Sequence, residues 1–176
     1  MKIKKIIIVL LLCFLPIASF AQKVGETLPA WEEGYMDIHH INTGCGECAY
    51  IIFPDGTTML IDAGENKAGN PRHVSPKPNA SRTPGEWIVD YIKTMAPVQK
   101  QKLDYALITH FHSDHMGGVL KMKNESGRYY NTGIITVAEN LQIGMLVDRG
   151  FPDYNFLVNT EDKMIKNYFN FLHFTK

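Results

Sequence analysis

The chain has 176 residues, 45% of them hydrophobic and 20% charged, with 18 Lys plus Arg balanced by 18 Asp plus Glu. That composition is globular, and it excludes a disordered chain, a strongly basic nucleic-acid binder and a polybasic membrane-surface protein. The length suits one domain whose core needs no disulfide framework.

Lys2, Lys4 and Lys5 precede the apolar run Ile6 to Ile17, and Ala18-Ser19-Phe20-Ala21 then places small residues at Ser19 and Ala21. This pattern predicts a signal peptide over residues 1–21, cleaved after Ala21, and therefore a secreted or periplasmic protein. The apolar run is shorter than the roughly 20 residues of a spanning helix, so no membrane anchor is expected after cleavage. Three lysines and no acids leave with it, so residues 22–176 carry 15 basic against 18 acidic side chains, a net charge of −3.

Asp37 to Asn42, Cys48 to Phe53 and Thr57 to Ile61 read as short strands separated by Thr43-Gly44 and Pro54-Asp55-Gly56, the second pair forming a hairpin. Cys45 and Cys48 flank Gly46-Glu47 and lead into a strand, with no helix N-terminus to lower a thiol pKa. A loop pair or small disulfide is expected there, not a redox centre. Asn66 to Arg82, rich in Pro, Asn and Gly, reads as a long surface loop. Thr83-Pro84-Gly85-Glu86 has the form of a capping box with Pro in the first turn, and Ile88, Tyr91, Ile92 and Met95 continue it as one apolar helical face that Pro97 ends.

Leu103 to Thr109 is apolar and short, as in a strand buried on both faces. Gly117 to Met122 is expected to begin a helix, while Ile134 to Val147 fits either a short helix followed by a strand or two strands. Thr160 is the expected cap of a last helix with an apolar face of Ile165, Phe169 and Leu172. The alternation of strands and helices places the chain in the α/β class.

Thr109-His110-Phe111-His112-Ser113-Asp114-His115-Met116-Gly117-Gly118 gathers three imidazoles and a carboxylate at the end of a buried strand. Imidazole nitrogen and carboxylate oxygen are good zinc ligands and also suit manganese or iron. In extended chain His110 and His112 face the same way and can hold one ion; Asp114 and His115, at the turn into a helix, can reach a second. Two ions a few ångströms apart can activate water and clamp attacking and leaving oxygens. His110, His112, Asp114 and His115 are the expected metal-binding residues, and Asp114 the expected catalytic carboxylate.

This segment resembles the His-x-His-x-Asp-His signature of the metallo-β-lactamase fold superfamily. Upstream, Gly56-Thr57-Thr58-Met59-Leu60-Ile61-Asp62-Ala63-Gly64 is similar to the family's strand ending in Asp-x-Gly, which implies that Asp62 supports the ligands from behind. Asn42-Thr43-Gly44-Cys45-Gly46-Glu47-Cys48-Ala49 resembles the Val-Gly-Gln-Gly-Asp loop of the domain attached to competence DNA-uptake proteins, with Cys45 in place of Gln and Glu47 in place of Asp. The resemblance implies a metal-dependent hydrolase carrying zinc, as two ions, and acting on a small-molecule or phosphodiester substrate. It also implies the N-terminal half of a four-layer αβ/βα sandwich, with residues 22–176 as a partial domain. Only one of the neighbours His39 and His40 can face the site, and His40 is the candidate substrate contact. His173, 58 positions beyond His115, is a candidate further ligand, although it falls within an apparent helix. The alternative to a hydrolase is a truncated, non-catalytic remnant that binds metal or a partner only.

Overall fold

Short strands with turn residues between them can pair antiparallel with their neighbours, whereas a parallel pair needs a crossover, usually through a helix. Both behaviours occur in the computed structural model, which describes residues 24–65, 71, 73–75, 77–98, 100, 102–154 and 159–175. The expected signal peptide lies outside the described residues. No helix among the described residues is long and apolar enough to cross a membrane.

Strands β1 (Asp37–His40), β2 (Ala49–Ile52) and β3 (Thr58–Ile61) form an antiparallel meander. The β2–β3 hairpin turns at Gly56, whose φ of +78° favours glycine. Strands β4 (Lys102–Leu107) and β7 (Gln142–Val147) extend the sheet in parallel, giving the order β1-β2-β3-β4-β7. β5 (Met122–Lys123) and β6 (Tyr130–Asn131) form a separate small ribbon. The molecule is thus of the expected α/β class, with one mixed five-stranded sheet and its helices.

Helix α1 (Pro84–Met95) starts as the sequence predicts: Thr83 and Glu86 complete a reciprocal capping box, Pro84 enters the first turn, and Ile88, Val89 and Ile92 are buried. Of the two readings of residues 134–147, helix then strand is the one observed, as α3 (Gly133–Asn140) followed by β7. The last helix, α4 (Lys163–Phe174), is capped by Asp162, which accepts from the backbone N–H groups of Met164 and Ile165; Thr160 is not the cap. Its buried face is Ile165, Tyr168 and Phe171, while Phe169 and Leu172 are only partly covered.

Two sequence expectations are corrected. Gly117 to Met122 is not helical; the helix is the single turn α2 (Ser113–Met116), ended by Gly117 at φ +85°. The buried Glu65 carboxylate accepts the N–H groups of Gly118 and Val119, which holds that segment away from a helical ladder. Strand β4, moreover, is not buried on both faces. Ala106 and Ile108 are sealed, but Tyr105 is 41% exposed.

The reason lies in the connections. The steps β3 to β4 and β4 to β7 run in one direction across the sheet, and right-handed crossovers then put α1 and α3 on the same side. There Tyr50, Ile52, Leu60, Ala106 and Ile108 pack with Ile88, Ile92, Ile134, Val137 and Tyr168. His39 also faces this side, with Nδ1 3.1 Å from the Tyr91 hydroxyl, so it is a packed core histidine. Burying such side chains stabilises the fold by about 1.5 to 3 kcal/mol each. The opposite face carries a row in register, Ile38, Ile51, Met59, Tyr105 and Met145, and it lies open.

Asp104 ties β3 to β4. Its Oδ2 accepts from the Thr58 backbone N–H at 2.8 Å and the Thr58 hydroxyl at 3.0 Å, and pairs with Lys100 Nζ at 2.6 Å. Burial pushes the carboxyl up, but the Lys100 ammonium and the two Thr58 donors outweigh it and hold it at about 2. A carboxyl depressed on folding contributes stability above its unfolded pKa of about 4, and that contribution is lost as pH falls toward 2. Asp104→Asn is therefore expected to unfold at lower urea than wild type at pH 7, with the gap closing between about pH 4 and pH 2.

Candidate metal centre

The site is built where β3 and β4 end. The two strands run parallel, so their C-terminal ends emerge together, and Asp62 N–H donates to the Leu107 carbonyl at 2.8 Å. Asp62 then takes a φ of +59°, a left-handed conformation that costs a non-glycine residue roughly 1 to 2 kcal/mol. The turn aims its carboxylate, 1% exposed, across at the histidine segment.

That carboxylate makes three contacts. Oδ1 accepts the Thr109 backbone N–H at 2.8 Å, and Oδ2 accepts the Thr109 hydroxyl at 2.7 Å and lies 2.7 Å from His115 Nδ1. An ionised carboxylate only accepts, so His115 Nδ1 is the donor of this contact and Nε2 is the ring nitrogen left to a ligand. The same count extends to His110. Thr109 has one hydroxyl proton, already given to Asp62, so at 3.1 Å from His110 Nδ1 its oxygen accepts, and His110 too presents Nε2 as a lone pair.

The rings are crowded. His110 and His112 centroids are 4.7 Å apart, and His110 and His115 centroids 3.8 Å apart. Asp114 Oδ2 lies 3.8 Å from His115 Nε2. Desolvation first, then the neighbouring His115 and His112, lower the His110 pKa and favour its neutral form.

A backbone cradle holds α2 against the end of β3. Ala63 N–H donates to the His115 carbonyl at 2.6 Å and Glu65 N–H to the Ser113 carbonyl at 3.0 Å, while Glu47 N–H donates to the Asp114 carbonyl at 2.9 Å. Two glycines allow this approach: a Cβ on Gly46 would lie 1.8 Å from the Asp114 carbonyl oxygen, and one on Gly64 2.3 Å from the same atom. The Cys45–Cys48 loop is thus a structural wall. Both thiols are free, Cys48 is buried, and burial together with Glu47 and Asp62 pushes its pKa up, which suits an inert side chain.

The structure brings His110, His112, Asp114, His115 and Asp62 together. His40 is exposed on the sheet rim, with Nδ1 3.5 Å from Glu47 Oε1, and so adjoins the loop that touches Asp114. His173 is exposed in the last turn of α4, its ring against Phe174, with no contact to the histidine cluster among the described residues. Thr109 and Glu65 were not singled out from the sequence. Thr109 precedes the first histidine and Glu65 follows Asp62-Ala63-Gly64, but their roles depend on contacts 47 and 53 residues apart.

The donor chemistry fits a divalent ion: three imidazoles, a carboxylate beside them, and a second carboxylate behind that engages His115 Nδ1 and leaves Nε2 facing the cluster. The donors are gathered but not converged, since among the described residues no group of three or more His, Cys, Asp or Glu stands in a metal-holding arrangement. The model of the metallo-beta-lactamase superfamily matches residues 42–127, just under half of the chain, spanning the Cys45–Cys48 loop, Asp62 and the histidine segment. No curated protein matches the chain.

Two measurements follow. Asn tolerates the left-handed region, so Asp62→Asn removes the carboxylate without changing the backbone demand; zinc affinity, read by competition with a chelating dye, is expected to fall about 10- to 100-fold. Gly64→Ala forces a methyl group onto the Asp114 carbonyl and is expected to lower stability by about 1 to 3 kcal/mol in urea titrations.

Proposed function

We propose that the protein is a metal-dependent hydrolase whose centre is held by His110, His112, Asp114 and His115 and oriented by Asp62. The observation that carries this reading is the tautomer chain: Asp62 fixes His115 directly and His110 through the Thr109 hydroxyl, leaving both Nε2 atoms as lone-pair donors in one crowded cluster. The match of residues 42–127 to a superfamily that typically binds divalent metals, often zinc, supports it.

When bound, a divalent ion supplies Lewis acidity and lowers the pKa of nearby water. The chain's own residues do the rest. His110, His112, Asp114 and His115 would hold the ions, which we take to be zinc, two per site, with manganese or iron as substitutes. Asp114, at the first turn of α2 and half-exposed, faces the same cluster and accepts a proton at its carboxylate. His40, on the rim beside Glu47, contacts substrate. His173 is the candidate further ligand only if α4 presents its last turn to the cluster.

The substrate reading follows the Asn42–Ala49 loop. Its likeness to the competence-protein loop is the ground for proposing a phosphodiester. Export after Ala21 to the periplasm or medium follows from the basic start, the apolar run and the small residues Ser19 and Ala21. A second reading, a non-catalytic remnant that binds metal or a partner, is favoured by the unconverged donors and the open sheet face.

One experiment separates the two. Wild type and the His110→Ala/His112→Ala double variant are loaded with zinc, their metal content measured by elemental analysis, and their hydrolysis of bis(p-nitrophenyl) phosphate followed. Wild type is expected to bind zinc and turn over, and the double variant to lose both. Zinc binding without turnover in wild type would select the remnant, and unchanged metal content in the variant would place the ligands elsewhere.

A further inference from the structure

We propose that the outer edge of β7 is a self-association site, at which two copies of the chain pair their β7 strands antiparallel about a two-fold axis at Gly144. The sheet has two edges, β1 and β7, and they differ. β1 is four residues long and carries Asp37, the kind of charge that blunts an edge. β7 runs six residues, Gln142-Ile143-Gly144-Met145-Leu146-Val147, with no charge and no proline.

One hydrogen bond shows which backbone groups of β7 lie open. The Ile108 N–H donates to the Val147 carbonyl at 2.9 Å, so Val147 turns its backbone groups toward β4. The N–H and C=O of a strand residue point to one side, and that side alternates along the strand. Within β7, Ile143 and Met145 therefore face β4 with Val147, while Gln142, Gly144 and Leu146 face outward. β7 pairs with β4 alone, and these three outward residues have no backbone partner among the described residues.

A second copy of β7 fits that edge. Opposed outward residues of an antiparallel pair exchange both N–H···O bonds. Setting Gly144 opposite Gly144 of the second copy sets each Gln142 opposite a Leu146, so every outward group of both strands is used; any other register leaves some unpaired. The side chains agree, since Ile143 then falls opposite Met145, apolar against apolar, and no like charges meet. Both flanks of the edge are apolar too. Met145 and Val147 are 56% and 39% exposed, and toward α4 a cavity of about 640 Å³ is lined by Leu146, Phe151, Phe169 and Leu172. Covering the strand edge with Met145, Val147 and Phe151 removes roughly 500 Å² per copy, or about 1,000 Å² in total, the lower bound for a specific interface. A weak dimer, dissociating in the micromolar range, is expected.

The test uses the exported chain, without residues 1–21. Gln142 is exposed, and Leu141 before it has φ −137° and ψ 134°, the extended angles that a following proline demands. Gln142→Pro thus removes an outward N–H and leaves the bonds to β4 in place. Sedimentation equilibrium from about 1 to 200 μM is expected to show monomer and dimer in exchange, with Gln142→Pro weakening the dimer about tenfold or more at an unchanged urea midpoint. In wild type, the amides of Gly144 and Leu146 are expected to exchange slowly at high concentration and to lose that protection on dilution, a readout that needs no variant. A monomer at every concentration overturns the proposal. So does a dimer that Gln142→Pro leaves unchanged, which would put the contact on the open sheet face, or amide protection independent of concentration, which would mean that a segment of the same chain covers the edge.

Discussion

Everything at this centre depends on one buried carboxylate. Asp62 sits in a left-handed backbone conformation that few non-glycine residues adopt, follows directly on a strand, receives a hydroxyl and an amide from Thr109, and accepts from the imidazole of His115. The local strain of roughly 1 to 2 kcal/mol is offset by charge-assisted hydrogen bonds that no other orientation of the carboxylate would reach. A single hydroxyl proton then carries the instruction one residue further, to His110. Two imidazole tautomers are thus set by one anion and one threonine.

Around that anion the packing is mostly backbone on backbone. The carbonyls of Ser113, Asp114 and His115 are received by the amides of Glu65, Glu47 and Ala63, and the absence of side chains at Gly46 and Gly64 lets the three segments approach. A turn as short as α2 could not hold its shape alone, since helix nucleation is unfavourable. Its geometry is imposed from outside, by the loop before β2 and by the four residues after β3. Glu65 completes the clasp by drawing Gly118 and Val119 onto its carboxylate, and burial raises its pKa despite those donors.

Legibility in the sequence followed the range of the interaction. The capping box of α1 could be read directly because both of its partners lie within four residues, and the hairpin at Gly56 because turn chemistry is local. The histidine segment was visible for the same reason: its donors crowd into six positions. Thr109 and Glu65 were missed because they work across 47 and 53 residues, which no spacing rule exposes. Gly117 to Met122 was misread as a helix because the competing partner of its amides is Glu65. The apolar run of β4 shows that its side chains favour burial, but not that both crossovers deliver their helices to one side.

That one-sidedness has a consequence for water. The row from Ile38 to Met145 shares its side of the sheet with His40, two positions on from Ile38 in β1 and 3.5 Å from Glu47, so the hydration of the row and the dielectric at that rim are not independent. While the row stays wet, any charge at that rim is screened by bulk solvent. Whatever dries the row also covers that rim, strengthening each electrostatic contact there and narrowing the routes by which water reaches it.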